Sequence, residues 1–102
     1  MSESLHPTDG VRLLLVRTAV DPDQAIARYS ATVFTPGERY DYDAVLTMDG
    51  GAELTARGAA APAALEDKLL SHARHAAREA RRRRDETASA WPHRLLRWRG
   101  PK

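Results

Sequence analysis

The chain has 102 residues, a formal charge of +2, 42% hydrophobic residues and no cysteine. That length suits one domain with a single modest core, since a chain this size buries roughly two-thirds of the surface its unfolded form exposes. Without cysteine there can be no disulfides, no thiolate catalysis and no Cys-ligated zinc or iron–sulfur centre. The N-terminal residues Met1-Ser2-Glu3-Ser4-Leu5-His6-Pro7 lack the basic start and long apolar stretch of a secretory signal. The aliphatic run Leu13-Leu14-Leu15-Val16 is too short to cross a membrane. A cytoplasmic protein with no membrane span is expected.

Charge is unevenly spread. Residues 1–64 hold nine acids against five bases, whereas residues 65–102 hold five acids against eleven bases. Only Lys68 and Lys102 are lysines, alanine occurs eighteen times, and asparagine is absent. This usage fits a small bacterial protein from a GC-rich genome, in which arginine is the default cation.

In chain order, residues 1–10 are polar and expected to fray. Residues 11–90 read as one α+β domain. Val11 to Val20 is aliphatic and β-branched, and both of its alternating sets hold large apolar residues, as in a strand that is central or covered twice. Asp21-Pro22-Asp23-Gln24 suits either a loop or a capped helix start. The alternation of Tyr29, Ala31 and Val33 from Ala27 to Thr35 favours a strand. Pro36-Gly37-Glu38 marks a turn. From Tyr40 to Met48 the alternation is the cleanest in the chain: Tyr40, Tyr42, Ala44, Leu46 and Met48 face one way, Asp41, Asp43 and Thr47 the other. Asp49-Gly50-Gly51 closes a tight hairpin into a fourth strand carrying Ala52, Leu54 and Ala56 inward.

After Gly58 the period lengthens. Pro62 starts a helix, and Glu66 and Asp67 near its first turn suit the macrodipole. Leu65, Leu69, Ala73, Ala76, Ala77 and Ala80 fall on one arc with Leu70 at its edge, and packing is expected to end near Arg82. The expected architecture is a four-stranded antiparallel meander backed by one long amphipathic helix. A Trp/Arg-rich tail, residues 91–102, follows and is expected to dock on the domain or a partner.

Four constellations bear on chemistry. Arg74, Arg78, Arg81 and Arg82 share a helix stripe able to follow phosphates or meet an acidic protein surface, or simply a solvated face. In the tail, Trp91-Pro92-His93-Arg94-Leu95-Leu96-Arg97-Trp98-Arg99, a helical turn begun by Pro92 would align Trp91, Leu95 and Trp98. Docking on the domain's second sheet face or on a partner chain is favoured there. Base stacking beside Arg94 and Arg97, and a membrane interface, are the other readings. His72, His75 and Glu79 are a nominal metal set, but their spacing is not that of the zinc-protease motif and Lys68 shares their arc, so a polar flank is expected and no metal. Asp41 and Asp43 form a carboxylate pair of the kind that any wet strand face presents. No phosphate loop, nucleophile elbow or small-molecule substrate site is evident, and no cofactor is implied. The sequence therefore points to a non-enzymatic protein-interaction domain, self-associating as a homodimer or binding another protein. The alternative is a nucleic-acid-binding module using the Arg stripe and the tail.

Overall fold

The hairpin signals and alternating patterns give strands β1 (Val11–Val20), β2 (Ile26–Phe34), β3 (Arg39–Thr47) and β4 (Ala52–Ala56). Helix α1 (Ala63–Arg83) and a further strand β5 (Arg94–Arg99) follow. The computed structural model describes residues 10–22, 25–83 and 91–99, without the side chains of Trp98 and Arg99. The expected fraying of residues 1–9 and the helix-start reading of Asp23-Gln24 lie outside the described residues.

The five strands form one antiparallel sheet in the order β4-β3-β2-β1-β5. Gly50, at φ 97°, supplies the left-handed residue that the β3–β4 turn requires. Between Arg17 and Ala19 the β1–β2 register shifts, leaving Thr18 as an extra residue. Bulges of this kind re-aim neighbouring side chains.

Alternation separates the two faces. One face is buried and carries Val11, Leu13 and Leu15 of β1, Ala27, Tyr29, Ala31 and Val33 of β2, and Tyr42, Ala44 and Leu46 of β3. Helix α1 lies on this face and buries Leu69, His72, Ala73, Ala76, Ala77 and Ala80 against it. An alanine stripe lets the helix axis approach closely, and the tyrosines and leucines of the sheet fill the space between. Tyr42 ties the helix N-terminus to β3: its hydroxyl donates to Glu66 Oε2 (2.7 Å) and accepts the Ala61 N–H (2.8 Å).

Three sequence expectations are corrected. The sheet has five strands, not four, because β1 offers a free ladder edge and residues 94–99 pair along it from Val16 to Val11. The tail is therefore not a helical turn aligning Trp91, Leu95 and Trp98. Leu95 stands opposite Leu15 and joins the core side, whereas Trp98 stands opposite Arg12 in the other alternating set. Finally, His72 is not on a polar flank but buried, at 5% exposure, beside the alanine stripe. A helix seated this close to a sheet also covers the residues bordering its apolar arc.

Candidate interaction surfaces

The start of β5 is held by a clamp built from β1 and β2. The Arg17 backbone N–H donates to His93 O (2.8 Å), Arg17 Nη1 to Trp91 O (2.8 Å), and Tyr29 Oη to Pro92 O (2.6 Å). Consecutive carbonyls of residues 91–93 are thereby all engaged. The Trp91 indole is 1% exposed and meets the Tyr29 ring edge-on, with centroids 6.5 Å apart. An indole so placed is part of the core and offers no face to a base. The same stacking role for the Trp98 side chain lies outside the described residues.

Burial pushes the Tyr29 phenol up to about 12, against a smaller downward pull from Arg17. Tyr42 is raised as well, first by burial and then by its hydrogen bond to Glu66. A raised folded-state value means that the native state holds its proton more tightly than the unfolded chain. This stability is fully present below about pH 10 and is lost as pH climbs from about 10 toward 12. Thermal melts should show the midpoint flat between pH 8 and 9.5 and falling steeply above; Tyr29→Phe should flatten the fall.

The candidate anion-binding arginines do not converge. Arg74, Arg78 and Arg81 are exposed on the flank of α1 nearest the β3–β4 turn. Arg74 borders a shallow pocket with Asp49 and Glu53, and Arg78 runs past Gly50. Asp49 is held below the usual carboxylate range, chiefly by the Thr47 hydroxyl and the Gly51 N–H, with Arg81 contributing. Arg82 pairs with Glu79 at 2.6 Å. Arg94 and Arg97 lie on β5, at the opposite edge of the sheet. Strand spacing separates the β4 and β5 edges by about 19 Å. One groove does not gather all six.

No described helix covers the second sheet face. Its ladder rows run Leu96–Leu14–Thr32–Asp41 and Arg94–Val16–Ser30–Asp43–Thr55. Leu96 is 42% exposed, the one exposed large hydrophobic among the described residues, and it pairs directly with half-buried Leu14. Phe34 is screened by the Arg39 guanidinium, 5.5 Å from the ring centroid. Arg39 Nε also donates to both oxygens of Asp41 at 3.1 Å, and the Thr32 hydroxyl donates to Asp41 Oδ1 at 2.9 Å. Arg57 donates through Nε and Nη2 to Asp43 Oδ1 at 2.8 and 2.6 Å. The two carboxylates thus each face an arginine.

The Arg17–Tyr29 clamp and the Leu14–Leu96 pair are absent from the sequence-derived site residues. The signal that could have found them was β1's double-sided apolar pattern, which calls for a strand partner on each edge. No group of three or more His, Asp or Glu side chains suited to a metal occurs among the described residues, and no described helix is long and apolar enough to cross a membrane. Compared with family models, curated proteins and solved structures, the chain matches none.

Proposed function

We propose that the chain is a non-enzymatic protein-interaction domain that pairs with a second copy of itself through the uncovered sheet face. The observation that carries this reading is Leu96, 42% exposed beside Leu14 on a face that no other described element covers. Five strands at about 4.8 Å spacing give a face roughly 24 Å wide and 25 Å long, or about 600 Å² in plan. With side-chain relief this approaches the ~800 Å² per partner of a standard interface. Charge supports a second copy as the occupant. On this face Arg39 and Arg57 answer Asp41 and Asp43, which leaves Glu53 on β4 against Arg94 on the β5 edge. A two-fold axis along β2 would lay β5 of one copy over β4 of the other, so that opposite signs meet.

Sedimentation equilibrium should give about twice the 11.3 kDa chain mass. Leu96→Glu should give the monomer mass and keep a cooperative melt, its midpoint lowered only by the lost association. Arg94→Glu should weaken the pair, and Arg94→Glu with Glu53→Arg should restore it. A wild-type monomer overturns the proposal. A second reading, as a nucleic-acid-binding module, rests on the exposure of Arg74, Arg78 and Arg81. A monomer that instead gained mass with added oligonucleotide, with affinity falling steeply in salt, would favour that reading.

A further inference from the structure

A helix about 10 Å across cannot span a five-stranded sheet about 24 Å wide. Helix α1 rests on β1 to β4, so β5 extends past its cover. Trp91 fills one end of the gap. Beside it remains a cleft of about 230 Å³ between the His72–Arg83 flank of the helix and the start of β5. Its floor is Ala76, Pro92 and Leu95; its walls are His72, His75, Glu79 and Arg83.

We propose that this cleft binds a small monocarboxylate with an apolar body. The volume suits a ligand of benzoate size and falls below the ~300 Å³ at which sites for drug-sized ligands usually begin. An apolar floor with a few convergent polar groups is the usual form of a small-molecule site. Arg83 supplies a permanent fork for a carboxylate, and the imidazoles of His72 and His75 stand on the same wall, His75 with its Nε2 4.0 Å from Glu79 Oε1. Glu79 is ionised, its carboxyl held low first by the hydrogen bond from Arg82. Its charge is thus partly answered, yet it still repels each added negative charge, which selects a single carboxylate over a phosphate dianion. Arg83 in turn opposes a cationic ligand. The cleft opens on the helix side, so its occupancy is independent of pairing through the other sheet face.

The test is an amide-resolved NMR titration of the whole chain with benzoate, with benzyl alcohol as its neutral counterpart. Saturable shifts centred on His72, Ala76 and Leu95 are expected, with a Kd on the order of 1 mM or tighter. Benzyl alcohol should bind about tenfold more weakly, and Arg83→Gln, at an exposed position, should weaken benzoate by a similar factor. Leu95→Trp should fill the cleft and abolish the shifts. Shifts that stay linear to roughly 20 mM, shifts centred elsewhere, or an Arg83→Gln variant that binds as tightly would each overturn the proposal.

Discussion

Trp91→Ala should cost about 3–5 kcal/mol, a large part of the stability of a domain this size. For a domain near 100 residues that loss lowers Tm by at least about 12 °C. The indole is among the largest fully buried side chains, and it sits where β5 enters the sheet. Removing it leaves a cavity against the Tyr29 ring, whose hydroxyl holds Pro92 O, so the clamp loosens together with the core. Neighbouring chain cannot readily collapse into the space, because the Arg17 and Tyr29 hydrogen bonds fix the backbone on that side. Trp91→Phe should fall between wild type and alanine. In a Trp98→Phe background, emission from Trp91 alone should be blue-shifted and protected from quencher before any ligand is added. A melt unchanged by Trp91→Ala, or a red and fully quenchable emission, would show that the indole is not in the core.

Leu69→Ala should be nearly as costly, at about 2–5 kcal/mol and toward the upper end. Leu69 is 0% exposed, and the other buried residues of α1 are alanines and His72. Leu69 is therefore the largest aliphatic side chain that the helix buries fully, with Leu65 packed against the core only in part. Alanine neighbours have no side-chain length with which to refill the void, so relaxation would require the helix to move. Half-buried Leu70 is the control: Leu70→Ala should lower the denaturation midpoint far less. Equal effects at the two positions would mean that the helix packs on a rotated face.

Periodicity made most of the fold legible. The alternation from Tyr40 to Met48 and the arc from Leu65 to Ala80 each depend on one local repeat, and both reappear in the structure with bounds shifted by only a few residues. The tail was less legible because Trp91, Leu95 and Trp98 stand at helical spacing, whereas adjacent Leu95 and Leu96 fall on opposite faces of the strand Arg94–Arg99. What decides between the two is the open edge of β1, some eighty residues earlier, and such a partner has no local signature. The burial of His72 depends likewise on how near the helix sits to the sheet, which follows from the smallness of the alanines around it. The arginines were easy to list but hard to place. Their helical stripe is visible in the spacing, whereas their separation from Arg94 and Arg97 follows from strand order alone.

The pairing of β1 with β5 has a kinetic side. Val11 and Arg99 are ladder partners, so the sheet is complete only when the two ends of the described chain meet. Strands β1 to β4 can zip as successive hairpins, each a local and fast event. Until residues 94–99 arrive on a nascent chain, however, β1 stands as a bare edge with Leu13 and Leu15 beside it and the Trp91 cavity unfilled. That interval is the exposed stage of folding, when a foreign strand can take the place reserved for β5. The arginines at 94 and 97 make the genuine strand a poor template for a second addition once it is seated, so the same edge passes from sticky to guarded in one step.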